Sequence, residues 1–396
     1  MRFGLERIRK LVAVLGMPQH RFASIHVVGT NGKSSVSEIT AALLEAHGCN
    51  TGAYLSPHDR LWSERIQLRG APISPDQFAA AVERVAEAVP VVERTFDEGE
   101  RVTQFEADTA VAFIALAVAR VEVAVIEAGL GGRLDATNVL PSRVSVLTSI
   151  GLEHTQWLGQ SEVEIATEKL AVLRDRTTLV LGPVSTEVED LARATASERH
   201  CELITVRDLA PAIELATSAP YLRRNFAVSL AATEALLGRL ELDRVRMVAA
   251  GLQLNGRAQV VAGEPMVILD AAHNPDGARA LAEALPELAG GRPVTACVAL
   301  LMDKDAEGII GALSPVISAM VATELPADRL ATAGRPGARA LPCSDLARIG
   351  IAAGVESVAQ EADPTAAIAL GRSRAAAAGG VLVVCGSHYL VGFAQP

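Results

Sequence analysis

Residues 25–35 read Ile25-His26-Val27-Val28-Gly29-Thr30-Asn31-Gly32-Lys33-Ser34-Ser35, and this stretch decides the fold. Four residues suited to a buried strand lead into a turn with two glycines, and apolar residues at helical spacing follow from Val36 to Ala46. Glycine lets backbone N–H groups approach an anion, and a helix N-terminus carries partial positive charge. Lys33 would supply a mobile cation for terminal phosphates. The stretch therefore predicts a phosphate-binding loop between a strand and a helix.

The match to the usual phosphate-loop motif is partial. That motif has another glycine five residues before the Gly32-Lys33 pair, and Val27 stands there instead. The alternative is a glycine turn before an ordinary amphipathic helix. We favour the phosphate loop because strand, turn, lysine, hydroxyl and helix all occur in order, and a hydroxyl just after the lysine can ligate Mg²⁺.

Length and composition limit the class of protein. The 396 residues are enough for two domains that each bury a core. The apolar run from Ala110 to Ala119 is too short to span a bilayer and is typical of a core helix. Basic residues near the N-terminus are not followed by the apolar segment of a secretory signal, so we expect a cytoplasmic protein that does not bind a membrane.

Charge and cysteine content exclude further classes. The formal net charge of −10 disfavours a nucleic-acid-binding surface, which needs clustered Lys and Arg. The five cysteines lie far apart with no paired spacing, which argues against a disulfide framework and a zinc site. We expect small-molecule partners, no nucleic acid, and a monomer.

Candidate ligand-binding residues follow several predicted strands. Glu127 and the run Gly129-Leu130-Gly131-Gly132 follow a strand from Val121 to Ile126, and three glycines in four residues indicate a close backbone approach at a nucleotide crevice. His154 follows a strand from Val144 to Ile150. A lone histidine is more often structural, but ligands bind beyond strand ends in open α/β sheets, so we favour a functional role for His154.

Three other residues leave alternatives open. Ser56, in Ser56-Pro57-His58, could touch a metal or phosphate, although such residues alone are more often part of a turn. Glu106 heads an apolar helix and would need a cation partner, unless it is a first-turn glutamate stabilised by the helix dipole. Lys169 is flanked by apolar residues, and it either extends its amine to solvent or is modified or pKa-shifted for a task.

The remainder of the chain indicates a second domain. The pattern breaks around Asn255-Gly256-Arg257, and a new strand from Met266 to Leu269 ends in Asp270-Ala271-Ala272-His273-Asn274-Pro275. Strands and helices then alternate, for example at Val294 to Leu300 and Val381 to Cys385. Such alternation predicts a mostly parallel sheet flanked by helices.

Taken together, these stretches resemble the folylpolyglutamate synthase and dihydrofolate synthase family of the Mur ligase superfamily. The resemblance covers nearly the whole chain in the correct order, and two blocks are the specific ones. They are the run from Glu127 to Asn138, with Gly-Leu-Gly-Gly-Arg inside it, and Asp270 to Pro275. The other matching stretches are Gly29 to Ser35, Ser56-Pro57-His58, Glu64-Arg65-Ile66, Phe105-Glu106, His154-Thr155, Trp157-Leu158-Gly159, Glu168-Lys169, Asn255-Gly256-Arg257 and Gly386-Ser387.

The resemblance implies an α/β protein with two domains. The N-terminal P-loop ATPase domain, residues 1–256, would contain a mostly parallel sheet, and the smaller Rossmann-like domain, residues 257–396, would be the glutamate-ligase domain. The implied activity is ATP- and Mg²⁺-dependent amide formation, through an acyl phosphate, between L-glutamate and dihydropteroate or reduced folates. Phosphoryl transfer relies mainly on positioning and charge neutralisation, so lysine, Mg²⁺ and arginine are the expected parts.

The resemblance also implies roles for individual residues. Lys33, Lys169, His154 and Arg257 would be catalytic, with Lys169 at the position of a lysine that is carbamylated in relatives. The implied ATP-binding residues are Gly29, Thr30, Asn31, Gly32, Lys33, Ser34, Ser35, Asn225, Arg257, Asp270 and His273. The implied metal ligands are Ser34, Ser35, Ser56, Glu106 and His154. The implied glutamate-binding residues are His273, Asn274 and Ser387.

Three positions depart from the family pattern. Ser34 replaces a glycine of the loop, so Ser34 and Ser35 both remain candidates for the metal. Glu153 stands where aspartate is common before the histidine, and the residues after Lys169 read Leu-Ala-Val rather than Ala-Gly-Ile. The competing hypotheses are a Mur-type ligase for another amino acid and carboxylate, a P-loop NTPase without ligase activity, and a folate-binding protein that has lost catalysis.

Overall fold

The computed structural model describes residues 4–58, 61–210, 213–332 and 337–395. By their internal contacts, these residues form two compact units. The first unit contains most of the chain up to Gly251, and the second contains Leu252 onward together with Leu215–Arg223 and His58–Leu61. The predicted boundary between residues 256 and 257 stays a prediction about independently folding domains.

Strands and helices alternate along the chain as far as Gly251. The strands are β1 Ala23–Val28, β2 Thr51–Tyr54, β3 Ile66–Leu68, β4 Ala71–Pro72, β5 Val123–Glu127, β6 Val144–Leu147, β7 Thr178–Leu181 and β8 Glu202–Thr205. The helices are α1 Glu6–Val14, α2 Lys33–Ala46, α3 Pro75–Glu93, α4 Gln104–Val118, α5 Thr155–Leu158, α6 Glu162–Leu170, α7 Thr186–Glu198, α8 Pro220–Leu237 and α9 Leu242–Ala250.

In the first unit, the described strands form one sheet in the order β4-β3-β2-β5-β1-β6-β7-β8. Neighbours from β2 to β8 pair in parallel, and β3 and β4 add an antiparallel edge. The central strand β1 has both neighbours in parallel, so the carboxyl ends of β1, β5 and β6 lie at one edge. Ligands bind at this edge of open α/β sheets.

From Leu252 onward the pattern is the same on a smaller scale. The strands are β9 Gln259–Val261, β10 Val267–Asp270, β11 Val294–Val298, β12 Ala319–Ala322, β13 Ser357–Gln360 and β14 Val381–Cys385. The helices are α10 Pro275–Leu288, α11 Ala306–Leu313, α12 Ala327–Thr332, α13 Cys343–Ala352, α14 Pro364–Ala377 and α15 His388–Ala394. The sheet order is β13-β12-β11-β14-β10-β9, and only β9 pairs antiparallel within it.

The predicted fold class is therefore confirmed. Each unit has a mostly parallel sheet whose central strands, such as β5 and β14, are fully buried because helices cover both faces. Among the described residues, no helix is both long and apolar enough to cross a membrane. All five cysteines are unpaired, as their spacing predicts.

Candidate active site

The phosphate loop joins β1 to α2, as the sequence predicts. Lys33 is the first residue of α2, and Gly32 precedes it with a φ of +83°, a backbone conformation that favours glycine. A Cβ atom on Gly32 would also lie 2.7 Å from Asn225 Oδ1. Asn225, on α8, therefore lies against the loop that contains the other predicted ATP-binding residues of this unit.

The loop is fixed in shape by residues that follow β6. The backbone N–H of Asn31 donates to Ser149 Oγ at 3.0 Å, and Thr148 Oγ1 donates to the Asn31 carbonyl at 2.6 Å. Thr30 Oγ1 accepts from the backbone N–H of Gly151 at 3.1 Å. The sequence analysis did not single out Thr148 or Ser149, although their place directly after a central parallel strand is a signal that could have identified them.

Two lysines converge on one carbonyl of this loop. Lys33 Nζ donates to the carbonyl oxygens of Gly29 and Thr30 at 3.2 and 3.1 Å. Lys169 Nζ donates to the same Gly29 oxygen at 2.8 Å, although it lies 140 residues away in sequence. The two catalytic lysines implied by the resemblance therefore lie side by side at the nucleotide loop.

Lys169 is buried, and its exposed fraction is 4%. Burial, and then the neighbouring charge of Lys33, lower the pKa of Lys169 from 10.5 to about 7, against the opposing influence of Glu153. A substantial fraction of this amine is consequently neutral near pH 7. A neutral amine is nucleophilic, whereas an ammonium group is not.

The glycine-rich segment after β5 explains how Lys169 reaches the loop. A Cβ atom on Gly132 would lie 2.7 Å from the Lys169 carbonyl oxygen and 2.8 Å from that of Glu168, so only glycine lets the segment pack against α6. The backbone N–H of Arg133 donates to the Glu168 carbonyl at 3.0 Å, and Arg133 Nε donates to the Glu168 carboxylate at 3.0 Å. The segment therefore fixes the end of α6 that carries Lys169.

Buried Asp135 stabilises the glycine-rich segment after β5 through hydrogen bonds to its backbone. Its buried carboxylate accepts from the backbone N–H groups of Leu130 at 2.8 Å and Thr137 at 3.0 Å. It also accepts from the Thr137 hydroxyl, which contacts His26 Nε2 at 2.8 Å. Burial raises the pKa of Asp135 and lowers the pKa of His26 to about 3, so this histidine is neutral.

Glu127, the last residue of β5, connects two predicted metal ligands. Its carboxylate accepts from Ser34 Oγ at 3.1 Å and from the backbone N–H of Ser56 at 3.1 Å. Ser35 is instead buried to 1% exposure, and its hydroxyl has no hydrogen-bond partner among the described residues. The geometry thus favours Ser34 over Ser35 as the hydroxyl near the metal, and it adds Glu127, which the sequence analysis left out of the site.

Glu106, a predicted metal ligand, pairs with an arginine and with a helix N-terminus, and its part in metal binding stays a prediction. Arg7 Nε donates to both carboxylate oxygens of Glu106 at 3.1 Å. The same carboxylate accepts from the backbone N–H of Thr103 at 2.7 Å and closes a capping box at the start of α4. The cation that pairs with this buried acid is therefore an arginine, and the backbone at the helix N-terminus donates a further hydrogen bond to it.

His154 lies at the start of the short helix α5, with a φ of +54°. Its Nε2 is 4.0 Å from Glu153 Oε1, and its side chain is about one-third exposed. The Glu153 carboxylate in turn influences the amine of Lys169. His154 and Thr155 therefore lie in the neighbourhood of Lys169. Metal binding by His154 stays a prediction.

In the second unit, Asp270 organises the residues that follow β10. Its carboxylate accepts from the backbone N–H groups of Ala258 and Ala272, both at 2.9 Å, and from the Tyr221 hydroxyl at 2.5 Å. Burial raises the pKa of Asp270, and burial and then the Asp270 charge raise the pKa of Tyr221 well above its usual value. Asp270 thus acts on the backbone around it, and Tyr221 is a partner that the sequence analysis missed.

Arg257 and His273 lie in the same cluster. Arg257 Nη1 donates to the Gly256 carbonyl at 2.9 Å, and its Nη2 lies 3.3 Å from His388 Nε2. The rings of His273 and His388 are 5.6 Å apart between centroids, and His273 Nδ1 lies 2.9 Å from the Ala271 carbonyl oxygen. The predicted nucleotide- and glutamate-binding residues of this unit are therefore close to one another, together with the unpredicted His388.

Asn274 and Ser387 both cap helices. Asn274 Oδ1 accepts from the backbone N–H of Gly277 at 2.8 Å at the start of α10, and Ser387 Oγ accepts from that of Tyr389 at 3.2 Å at the start of α15. Because β10 and β14 are parallel neighbours, these two helix starts lie at the same edge of the sheet. Their predicted contact with glutamate stays a prediction.

The side chains beside the phosphate loop supply some of the ligands that Mg²⁺ needs. No group of three or more His, Cys, Asp or Glu side chains among the described residues is arranged to hold a metal ion. Ser34 and Glu127 do provide the oxygen donors that Mg²⁺ prefers, and Mg²⁺ commonly completes its shell with water and substrate phosphate. The site fits a cation that binds with a nucleotide better than one held by protein alone.

Comparisons with known proteins agree with this geometry. Residues 256–388 match the family model described as the Mur ligase, glutamate ligase domain. The dihydrofolate synthase/folylpolyglutamate synthase of Mycobacterium tuberculosis is 34% identical to this chain in a 358-residue alignment, which covers 81% of this chain and 74% of that protein.

Two solved structures are similar in sequence and fold. Mycobacterium tuberculosis folylpolyglutamate synthase, complexed with ADP and AMPPCP, has a TM-score of 0.90 and 33% identity, covering 99% of this chain and 95% of that one. The bifunctional folylpolyglutamate synthase/dihydrofolate synthase of Yersinia pestis, complexed with AMPPNP and Mn ion, has a TM-score of 0.84 and 28% identity, covering 100% and 93%. Nucleotide and divalent cation, the two predicted cofactors, are both ligands of such structures. The resemblance seen in the sequence is thus confirmed, and this chain belongs to the dihydrofolate synthase/folylpolyglutamate synthase family.

Proposed function

We propose that this chain is an ATP-dependent ligase that joins L-glutamate to the carboxylate of dihydropteroate, of reduced folates, or of both. The observation that carries the proposal is the convergence of Lys33, Lys169 and Glu127 on the phosphate loop, in a chain that belongs to this family. When bound, ATP supplies the phosphoryl group that converts an unreactive carboxylate into an acyl phosphate. The side chains position the reactants and neutralise charge.

In the first unit, each loop residue has a distinct part. The backbone N–H groups from Gly32 to Ser34, at the start of α2, bind phosphate oxygens, and Lys33 leaves its loop carbonyls to meet the terminal phosphates. Ser34 and Glu127 are the oxygen ligands of Mg²⁺, with Ser56 and His154 as further candidates. Glu127 takes the place that the sequence analysis gave to Glu106.

Lys169 is proposed to react with dissolved CO₂. The neutral amine attacks the carbon of CO₂ and loses one proton to solvent, which gives a carbamate with one negative charge. Its lowered pKa supports this step, because the neutral form must be available near pH 7. Carbon-13 NMR of protein equilibrated with labelled bicarbonate should show a carbamate signal that Lys169→Met lacks. Recovery of Lys169→Ala activity by short carboxylic acids would support the same role, and unchanged activity in that variant would contradict it.

The second unit contributes Arg257, His273, Asn274 and Ser387. We propose that Arg257 neutralises charge on phosphate, and that His273, Asn274 and Ser387 bind the incoming glutamate. Asp270 keeps this cluster in place through Ala258, Ala272 and Tyr221, as its contacts support. A monomer that works in the cytoplasm is part of the proposal, and sedimentation analysis tests the monomer.

ADP release tests the function directly. Purified protein with ATP, Mg²⁺ and L-glutamate should release ADP when dihydropteroate or tetrahydrofolate is added, and turnover with both would identify a bifunctional enzyme. Release without pterin or glutamate would indicate an NTPase instead. Absence of release with any pterin would leave a ligase for other substrates or a binding protein without catalysis, and it would contradict the proposal.

A further inference from the structure

We propose that His388 is a positioning residue for Arg257, whose neutral imidazole holds the guanidinium group in the orientation in which it meets phosphate. The phosphate contact of Arg257 rests on the proposed function, whereas the contact between Arg257 and His388 is observed. His388 is the first residue of α15 and lies next to Ser387, which was predicted to bind glutamate. His388 has no other proposed role in the site.

The chemistry of the two groups fixes the direction of their hydrogen bond. Arg257 Nη2 lies 3.3 Å from His388 Nε2. A guanidinium group only donates, so the Nε2 atom must carry a lone pair and the ring proton must be on Nδ1. An imidazole protonated on both nitrogens would place N–H against N–H at this contact. The observed arrangement therefore requires a neutral His388 in one defined tautomer.

The second contact of Arg257 completes its orientation. Its Nη1 atom donates to the Gly256 carbonyl at 2.9 Å. Two acceptors on two different terminal nitrogens fix the plane of the guanidinium group, which is rigid. The group has five N–H donors in total, so three are left for an anion after these two contacts. Loss of His388 would leave Arg257 with one of these two acceptors, the carbonyl of the neighbouring residue.

Backbone and ring contacts hold His388 itself in place. Gly386 has a φ of +97°, and a Cβ atom there would contact the Ala299 carbonyl oxygen, so the chain turns sharply between β14 and α15. The His388 ring also packs 5.6 Å from the His273 ring, at an angle of 50°. The imidazole thus has a restrained position, which a residue that positions another must have.

Two substitutions distinguish the effect of the hydrogen-bond acceptor of His388 from the effect of its aromatic ring. His388→Phe keeps an aromatic ring beside His273 but has no acceptor, and it should lower kcat/KM for ATP about 10- to 100-fold, the effect of losing one hydrogen bond to a charged group. His388→Gln places a carbonyl oxygen near the former Nε2 and should stay within about threefold of the original protein. The control is His20→Phe, at an exposed histidine, which should leave kcat/KM unchanged. Equal activity of His388→Phe and this control would overturn the proposal.

A double substitution distinguishes positioning from a separate structural role. If His388 acts through Arg257, then Arg257→Ala combined with His388→Phe should be no less active than Arg257→Ala alone. Losses that multiply would overturn the proposal. Thermal unfolding of each variant identifies any that fails to fold, and His388→Leu, which also lacks an acceptor, takes the place of His388→Phe if that variant does not fold.

A measurement on the original protein does not depend on turnover. Nitrogen-15 NMR of histidine-labelled protein, with His388→Gln used to assign the signal, should show an unprotonated Nε2 and a protonated Nδ1 for His388. Arg257→Ala should shift the Nε2 signal, and a protonated Nε2 would refute the positioning role. If no glutamate-dependent ADP release were found, the proposed function would fail, and the NMR result would still decide the inference.

Discussion

The carboxylate of Glu127 contacts Ser34 Oγ and the backbone of Ser56, both at 3.1 Å, beside the loop that carries Lys33. As a proposed Mg²⁺ ligand, Glu127 should be intolerant of charge loss. We expect Glu127→Gln to lower the kcat for ADP release about 100-fold or more, equivalent to roughly 3 kcal/mol of transition-state stabilisation. Titration of Mg²⁺ should show a higher requirement in the variant, and an unchanged requirement would remove Glu127 from the metal site.

Glu106 should behave differently, because its partner is Arg7. Glu106→Gln weakens a buried ion pair and the capping box of α4, and should lower the free energy of unfolding by about 2–3 kcal/mol, since Glu100 still pairs with Arg7. Urea unfolding measures this loss. The Mg²⁺ concentration needed for half-maximal ADP release should stay the same, and a large increase without loss of stability would return Glu106 to the metal ligands.

Lys169 should make stability depend on pH. Its pKa of about 7 in the folded protein lies below the 10.5 of an ordinary lysine, so the unfolded chain binds more protons between these values. The free energy of unfolding therefore rises with pH from about 7 to 10.5, and the full destabilisation is present below pH 7. We expect Lys169→Met to remove this rise, which is on the order of a few kcal/mol. Urea unfolding at a series of pH values measures this rise, in CO₂-free buffers in which the amine stays unmodified. The same dependence of the free energy of unfolding on pH in both proteins would contradict the prediction.

At the scale of elements, the segment after β5 and helix α6 act as one support. Gly132→Ala would place a Cβ atom within 2.8 Å of backbone atoms of Glu168 and Lys169, which cannot move without shifting α6. We expect a loss of about 1–3 kcal/mol of stability and a lower kcat. Gly311→Ala is the matched control in α11, where a Cβ atom meets nothing within 4 Å, and it should stabilise the protein by up to about 1 kcal/mol. Equal effects of both substitutions would contradict this role for Gly132.

Elements with strong local signals were predictable from the sequence. The phosphate loop, the strand just before the glycine-rich run and the helix headed by Glu106 all follow from residue patterns within about ten positions. Helix α7 and strand β8 were not predicted, because two of the three buried residues of α7 are small alanines and β8 has no fully buried residue. Local pattern is informative where burial is complete and less so at a sheet edge.

The site was harder to predict than the fold, and Glu106 shows why. Both Glu106 and Glu127 are acids next to apolar residues, so spacing does not tell a metal ligand from an ion-pair partner. The deciding partner of Glu106 is Arg7, 99 residues away in sequence. His388 was missed for the same reason, because Arg257 is 131 residues away. Partner identity is a tertiary property, which a single sequence shows only through resemblance to relatives.

At the scale of the whole molecule, metal and nucleotide should bind together. The described residues contain no group of three His, Cys, Asp or Glu side chains that could hold a metal ion, so we expect water and phosphate oxygens to complete the shell of Mg²⁺. Mg²⁺ alone should leave Tm unchanged, while AMPPNP with Mg²⁺ should raise Tm more than AMPPNP alone, because a ligand that binds only the folded state stabilises it. Differential scanning fluorimetry checks this. A large rise with Mg²⁺ alone would indicate a resident metal site.

Lys33 and Lys169 both donate to the carbonyl of Gly29, so the charge of Lys33 affects the protonation of Lys169. The ammonium of Lys33 repels a proton from Lys169, so the residue that meets phosphate also prepares its neighbour to react with CO₂. Loss of the Lys33 charge would let Lys169 keep its proton at higher pH, and carbamylation would then need more dissolved CO₂. A residue proposed to hold nucleotide would in this way tune how the protein responds to bicarbonate in its surroundings.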